Sequence, residues 1–271
     1  MSAIEAIVLG LVQGLTEFLP ISSSGHLRIV PALLGWEDPG TGFTAVIQLG
    51  TMAAVLIYFR ADLWRIARAW LGELRTPIPR ASPEARLGWF ILLGTIPISI
   101  FGLIFSDQIE SGGRDLYLIG SALILFSFVM LLAEHLGTRR RQITEMKGRD
   151  GVFIGFAQAL ALIPGVSRSG ATISAGLLRG FDRLAAARYS FLLSVPAVVL
   201  SGLFELRKIG DEGNAPAGAT AIATVVAFVA GYASIAWLLR YLTTHSLRGF
   251  VVYRIALGAL VLILAASGAI S

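Results

Sequence analysis

The chain has 271 residues, of which 55% are hydrophobic and only 14% are charged, and its mean hydropathy is +0.76. This composition excludes an ordinary soluble domain and indicates a polytopic membrane protein. The chain has no cysteine, which excludes disulfides, thiol catalysis and thiolate metal sites. Its net charge of +5 does not indicate a nucleic-acid partner, because the basic residues gather in loops that anchor a cytoplasmic face.

The first apolar region, at about 4–34, is interrupted by Pro20 and by the small polar residues that follow it. A second apolar region, at about 151–180, is interrupted in the same way by Pro164 and Gly165. Such an interruption is tolerated at membrane depth only where it lines a cavity or is buried in protein. We therefore predict two broken helix hairpins that enter the membrane and start a second helix within it.

Six further segments are apolar over the roughly 20 residues that a helix needs to cross a bilayer. These predicted spans lie at about 43–59, 87–106, 116–136, 189–206, 217–239 and 250–270. The arginine-rich loops at 60–86 and 137–150 are predicted to face the cytoplasm. The more acidic segments at 36–42 and 107–115 are then predicted to face outwards.

The two interrupted regions resemble each other at an offset of 145 residues, where GLVQGLTEFLPISSSG aligns with GFAQALALIPGVSRSG. The match includes polar positions, since Gln13 aligns with Gln158 and Ser22 with Ser167. Each copy holds one broken hairpin and three spans, and because three is odd, the second copy is inserted upside down. The predicted fold is an all-α integral membrane protein with an inverted-topology repeat, whose broken helices meet near the midplane and form the site.

In this fold, each half consists of one re-entrant broken helix hairpin followed by three transmembrane helices. The chain is predicted to form a single membrane domain over residues 1–271. Repeat 1 covers about 1–136, a cytoplasmic linker covers about 137–150, and repeat 2 covers about 151–271.

The helices that begin after the breaks, near 22–26 and 167–172, can each hold an anion. The first amides of a helix lack intrahelical partners, and the helix dipole is positive there. Serine hydroxyls add donors, glycine permits close approach, and the planar guanidinium of Arg168 suits a phosphate or a carboxylate. A phosphate fits this site best. The predicted phosphate-binding residues are Ser22, Ser24, Gly25, Gln158, Ser167, Ser169, Gly170 and Thr172.

Glu17 and Gln13 are four residues apart and share one helix face beside this site. Because a carboxylate repels a phosphate, we predict a divalent cation between them, Mg²⁺ or Ca²⁺, with Glu17 and Gln13 as its ligands. His26 exchanges protons near neutral pH and is predicted to act as acid, base or nucleophile. Ser23 is a second candidate nucleophile if His26 takes its proton, and the residues do not decide between the two.

Each of these side chains also has a purely structural interpretation. Serines in membrane helices often only pack or hydrogen-bond to neighbours, and an arginine at a helix start can snorkel to the interface. We favour the functional interpretation, because Glu17, His26 and Arg168 stand together on matching breaks and intramembrane ionisable residues are functional candidates by default. His135 and His245, at the ends of spans, are expected to be interfacial.

The segment QGLTEFLPISSSGH at 13–26 resembles the (E/Q)xxxE and SSxGH motifs of the bacterial undecaprenyl-diphosphate phosphatase family, also known for bacitracin resistance. PGVSRSGAT at 164–172 resembles that family's PGxSRSxxT motif, and VIQLGT at 46–51 and SFLLSVPA at 190–197 resemble further family segments. The resemblance covers nearly the whole chain. The first motif position is Gln13 here, where the family pattern allows either Glu or Gln.

The resemblance implies a multi-pass phosphatase of the bacterial cytoplasmic (inner) membrane, with the C55 lipid undecaprenyl diphosphate and the bilayer as its partners. It implies removal of the terminal phosphate to supply undecaprenyl phosphate for peptidoglycan synthesis, a divalent metal requirement, and an active site that opens to the periplasmic side. The alternative is a secondary transporter or a flippase for a lipid phosphate or another anion, since inverted repeats with broken helices are also transporter architecture. The residues leave open whether the chain acts as a monomer or as a homodimer.

Overall fold

The computed structural model of the chain describes residues 1–106, 108–109, 114–205 and 216–270, with the backbone alone at 41 and 201–205. Within these residues the chain is helical, as predicted, and forms eleven α-helices, numbered here in chain order. Helices α1 to α11 are Ala3–Phe18, Ser23–Leu34, Gly40–Tyr58, Arg60–Gly72, Pro83–Ile104, Leu116–Leu136, Gly148–Ala159, Arg168–Leu178, Arg183–Glu205, Ala217–Tyr241 and Arg248–Ala266. Short 3-10 turns lie at Ile78–Arg80, Ile143–Glu145 and Leu160–Leu162.

Five of these helices, α5, α6, α9, α10 and α11, are long and apolar enough to cross a membrane. They coincide with five of the six predicted spans, which confirms a multi-pass membrane protein. The sixth predicted span, at 43–59, lies in α3, which meets α4 at a bend of 72°. Residue 206 and most of the predicted outward segment at 107–115 lie outside the described residues.

The prediction of a plain basic loop at 60–86 is wrong, because its first half forms helix α4 and its end belongs to α5. Helix α4 buries Ile66 against the bundle. The ring of Trp70 packs edge-on against Trp89 of α5, with the ring centroids 5.3 Å apart. The arginines of α4 alternate with these inward positions, so a hydropathy average over the segment conceals the helix.

The first helix of each interrupted region packs directly on a spanning helix, α1 on α10 and α7 on α5. A Cβ atom at Gly10 would lie 2.5 Å from the carbonyl oxygen of Ala223, and one at Gly155 would lie 2.6 Å from the backbone of Gly94. Only glycine permits such backbone contact, which is a common way for membrane helices to associate. The two interrupted regions are therefore held in the bundle by equivalent contacts.

Ion pairs distinguish the two ends of the helix bundle. At one end, Asp38 pairs with Arg114 and with Arg28, the latter at 3.3 Å. This contact joins described parts of the two segments predicted to face outwards. At the other end, Asp62 of α4 pairs with Arg188 of α9 at 2.9 Å. The arginine-rich segments thus gather at the end opposite to Asp38.

At this second end, Asp150 fixes the linker at 137–150 to the bundle. Its carboxylate accepts hydrogen bonds from Arg141 and Arg179, both at 2.7 Å. Burial works to raise the pKa of Asp150, but the hydrogen bonds from the two arginines outweigh it and hold that pKa below its ordinary value. Part of the basic charge of the linker therefore serves internal ion pairs.

Candidate active site

Both interruptions fall where the sequence predicts them. Helix α1 ends at Phe18 and α2 begins at Ser23. The 3-10 turn after α7 ends at Leu162, and α8 begins at Arg168. The predicted starting points of the two second helices are therefore confirmed.

The residues that cap these two helices, Ser22 and Ser167, share one uncommon backbone conformation. Their φ angles are 77° and 79°, values that residues other than glycine rarely adopt. Each serine side chain accepts a hydrogen bond from the backbone N–H three residues on, Gly25 at 3.4 Å and Gly170 at 3.2 Å. Because strained backbone of this kind tends to cluster at functional sites, the two caps single out these helix starts.

Arg254 belongs to α11, outside the two interrupted regions, and its side chain contacts the backbone of both interruptions. Its guanidinium is fully buried and donates to the carbonyl oxygens of Pro20 at 3.3 Å and Gly165 at 2.9 Å. A third donor, Nε, lies 3.1 Å from the hydroxyl of Ser127. Sequence reasoning missed this residue, although an arginine inside the predicted span at 250–270 was a signal that could have found it.

A cavity of about 700 Å³ extends from the interruptions toward the end of the bundle that carries Asp38. The residues at its inner end include Gln13, Glu17, Ser22, Ser23, Ser24, Ser167 and Arg168. Farther out, its walls include Thr44 near the start of α3, Gly102 near the end of α5, and Val198 of α9. The cavity therefore has a polar floor and walls of mainly apolar residues.

Glu17 is the centre of the cavity floor. Nη2 of Arg168 donates to its Oε1 atom at 2.5 Å, and the hydroxyl of Ser23 donates to its Oε2 atom at 2.6 Å. The amide of Gln13 donates to the same Oε2 atom at 3.2 Å and to the hydroxyl of Thr51 at 3.3 Å. Three residues that the sequence singles out, Arg168, Ser23 and Gln13, thus contact the carboxylate of a fourth, Glu17.

Arg168, which the sequence predicts to hold a phosphate and to neutralise its charge, contacts two protein groups at the cavity floor. It forms an ion pair with Glu17, and its Nη1 atom reaches the carbonyl oxygen of Ser194 at 3.5 Å. The arginine therefore already neutralises the carboxylate.

His26 lies behind the floor and does not line the cavity. Its Nδ1 atom lies 2.7 Å from the carbonyl oxygen of Ser22, and its Nε2 atom lies 2.7 Å from the hydroxyl of Tyr253. The hydroxyl of Ser23 is directed to Glu17 instead. The hydrogen bond to His26, on which the role of Ser23 as a nucleophile was made conditional, is therefore not formed in this structure. Sequence reasoning missed Tyr253, since a tyrosine in an apolar span carries no particular signal.

Three of the predicted phosphate-binding residues, Ser22, Ser24 and Ser167, line the cavity. The other five do not line it: Gly25, Gln158, Ser169, Gly170 and Thr172. Thr172 shares a hydrogen bond of 2.6 Å with Ser190, and Gln158 donates to the carbonyl oxygen of Gly94 at 3.3 Å. These two side chains connect helices in the structure.

The surroundings of Glu17 fit a divalent cation only if a ligand supplies further oxygens. Among the described residues, no group of three or more His, Cys, Asp or Glu side chains forms a ready metal site. Oε1 of Gln13 is nevertheless buried without a hydrogen-bond partner, close to the Glu17 carboxylate. One carboxylate and one free amide oxygen suit Mg²⁺ shared with substrate phosphates better than an all-protein cage.

A family model described as "Bacitracin resistance protein BacA" matches residues 6–260. A protein named undecaprenyl-diphosphatase from Nocardioides sp. is 56% identical over 99% of this chain and 98% of its own length. Proteins of that name from Thermobifida fusca and Kineococcus radiotolerans are 52% and 55% identical, over all of this chain and 93% and 96% of their own lengths. Because these matches cover nearly the whole sequence, the chain belongs to the bacitracin resistance protein BacA family.

Proposed function

We propose that the chain is a membrane phosphatase that hydrolyses undecaprenyl diphosphate to undecaprenyl phosphate and inorganic phosphate. Relatives that match it from end to end carry the name undecaprenyl-diphosphatase. The observation that carries the proposal is the meeting of Glu17, Ser23 and Arg168 on the floor of a cavity between two helix starts. The reaction returns the lipid carrier to peptidoglycan synthesis, and the family's description connects it with bacitracin resistance.

The shape and polarity of the cavity suit both ends of this substrate. The starts of α2 and α8 favour the negative charge of a diphosphate, and Arg168 can bind two of its oxygens at once. The apolar walls, with Leu103 and Val198, suit an isoprenoid chain. At about 700 Å³ the cavity holds only part of a C55 lipid, so the rest of the tail extends into the bilayer.

The chemical step breaks the anhydride bond between the two phosphorus atoms. In our proposal, Ser23 Oγ, whose proton passes to Glu17 or His26, or the unprotonated His26 Nε2 attacks the terminal phosphorus, and the lipid monophosphate leaves as the anhydride bond breaks. Water then attacks the phosphorylated side chain, which releases inorganic phosphate and restores the nucleophile. Arg168 and the two helix starts stabilise the negative charge that develops on the transferred group. The choice between the two nucleophiles stays open, because Ser23 points to Glu17 and His26 points to Tyr253.

We further propose that Glu17 and the free Oε1 atom of Gln13 hold a divalent cation, Mg²⁺ or Ca²⁺, together with substrate oxygens. When bound, the cation supplies positive charge that lets a phosphate approach the carboxylate. When neither phosphate nor cation is bound, the guanidinium of Arg168 balances the negative charge of Glu17.

We propose an inverted-topology repeat, with residues 1–136 and 151–271 as its halves, in the inner membrane of a bacterium. The matching caps at Ser22 and Ser167 and the matching glycine contacts of α1 and α7 support it. We also propose that the cavity opens to the periplasm, because it extends toward Asp38 and away from the arginine-rich end.

Phosphate release by the purified protein in detergent tests the proposed function. A micelle has no compartments, so a transporter or a flippase releases no phosphate there, whereas a phosphatase does. We expect inorganic phosphate from undecaprenyl diphosphate with the wild-type protein and almost none with His26→Ala, which controls for contaminating phosphatases. The absence of release by the wild type would favour the carrier function.

A further inference from the structure

Tyr253 closes one side of the His26 ring. Its hydroxyl lies 2.7 Å from Nε2 of His26, although the two residues are 227 positions apart. The rings are nearly parallel, with centroids 5.6 Å apart and an interplanar angle of 11°. His26 is 5% exposed and Tyr253 is 44% exposed, so the tyrosine stands between the histidine and the surface of the protein.

The hydrogen bond on the other side of the ring decides where the proton lies. Nδ1 of His26 is 2.7 Å from the carbonyl oxygen of Ser22. Because a carbonyl oxygen can only accept, Nδ1 must carry the proton and donate it. In the neutral imidazole, Nε2 then holds the lone pair and accepts the hydroxyl hydrogen of Tyr253. The carbonyl contact therefore selects the tautomer, and the Tyr253 hydroxyl donates to the nitrogen left unprotonated.

We propose that Tyr253 is a positioning residue for His26: its hydroxyl donates to Nε2 and fixes the orientation of the ring, whose Nδ1-protonated tautomer is set by the carbonyl oxygen of Ser22. The proposal deepens the function proposed above and rests on it, since it concerns how His26 is prepared for acid, base or nucleophilic work. In the other tautomer, Nε2 carries a proton and can neither take up a proton nor attack phosphorus.

The neighbouring residue explains how Tyr253 is kept in place. Arg254 is fully buried and donates to the carbonyl oxygen of Pro20, in the interruption that precedes α2. This contact fixes the register of α11 against the helix start that carries His26. Two consecutive residues of α11 therefore contact the first interruption. Arg254 holds its backbone at Pro20, and Tyr253 holds the ring of His26.

The tautomer can be observed directly, because the chain has only three histidines. We would record ¹⁵N-imidazole NMR spectra of the full chain in detergent and assign His26 from the spectrum of His26→Ala. At neutral pH the wild type should show a protonated Nδ1 and an unprotonated, hydrogen-bonded Nε2. Tyr253→Phe should shift the Nε2 resonance by removing its hydrogen bond, while the resonances of His135 and His245 stay unchanged and report an intact fold.

Turnover provides the second measurement. We expect Tyr253→Phe to lower kcat by about 10–100-fold, the loss typical for the orienting partner of a metal-bound histidine, with KM nearly unchanged. Tyr232→Phe is the matched control, because Tyr232 is also half-exposed, at 39%, and its hydroxyl makes no hydrogen bond among the described residues. It should behave as the wild type.

Three results would overturn the proposal. They are a wild-type His26 that carries its proton on Nε2, a Tyr253→Phe spectrum identical to the wild type, and an unchanged kcat in that variant. If Tyr253→Phe fails to fold, the presence or absence of a hydrogen bond on Nε2 in the wild-type spectrum decides. If the wild-type protein has no phosphatase activity but shows the expected Nε2 hydrogen bond, the proposed function is refuted. The contact between Tyr253 and His26 is then still confirmed.

Discussion

The guanidinium of Arg168 and the carboxylate of Glu17 lie 2.5 Å apart, although they are 151 positions apart in the chain. Each residue belongs to a different interrupted region, so the ion pair joins the two regions at the cavity floor. Both side chains are largely buried, with 16% and 8% exposed. Two such charges are tolerated in a membrane protein because each neutralises the other.

We expect Arg168→Lys to lose about 10²-fold in kcat/KM, measured by phosphate release from the purified protein. A lysine keeps the positive charge, but it presents a point charge instead of a planar fork. It therefore cannot hold Glu17 and two phosphate oxygens together. Arg188→Lys is the control, since Arg188 pairs with Asp62 at the far end of the bundle and should tolerate the change. Equal losses in both variants would contradict a specific role for Arg168.

We expect phosphatase activity to vanish with a chelator and to return with Mg²⁺ or Ca²⁺. The proposed ligands are Glu17 and the free amide oxygen of Gln13, so Glu17→Gln should abolish turnover or weaken the dependence on metal. Gln13→Glu adds a second carboxylate and should lower the Mg²⁺ concentration needed for half-maximal activity. Full activity of the wild type in excess chelator would assign Glu17 to another role, such as holding Arg168 and Ser23.

The fold is predictable from the sequence where hydropathy and local residue chemistry determine it. Pro20 and the glycine after Pro164 mark breaks that the structure places as expected, and the long apolar segments become spanning helices. Helix α4 is not predictable in this way, because its inward stripe around Ile66 is interleaved with arginines. Its helical state depends on packing against α5, which no local pattern records.

The candidate site is also predictable only in part, because some of its contacts depend on how distant segments pack together. Glu17, Ser23 and Arg168 stand in short motifs, and the structure brings them together. Arg254 and Tyr253 lie more than two hundred positions after the residues they contact in the first break. Arg254 stands out in the sequence as an arginine inside an apolar span, but nothing in the local sequence connects α11 with that break. The fold alone shows which residues Tyr253 and Arg254 contact.

A further prediction concerns the orientation of the two ends of the bundle. Because the chain has no cysteine, single cysteines can be introduced at exposed positions on each end. Glu37→Cys should react with a membrane-impermeant maleimide in intact cells, since Glu37 adjoins the Asp38 contact. Arg140→Cys should react only after permeabilisation, because it lies in the arginine-rich linker. Labelling of Arg140→Cys in intact cells would reverse the proposed orientation.

The last prediction separates the candidate nucleophiles. His26→Ala should lose at least about 10²-fold in turnover, because proton transfer by a positioned side chain alone contributes 10²–10⁴-fold. More than about a tenth of wild-type turnover in this variant would show that His26 is dispensable. If Ser23 attacks with His26 as its base, Ser23→Ala should be nearly inactive as well. If His26 attacks directly, Ser23→Ala should retain partial activity.

Double variants decide which partner acts with Ser23. Residues that act as a unit have strongly non-additive effects, so a second substitution within the unit costs little more than the first. The hydroxyl of Ser23 lies 2.6 Å from Glu17, whereas both ring nitrogens of His26 are engaged elsewhere. We therefore expect non-additivity when Ser23→Ala is combined with Glu17→Gln, and near-additivity when it is combined with His26→Ala. The reverse result would mean that substrate binding moves Ser23 from Glu17 to His26, so that the two act as a nucleophile and its base.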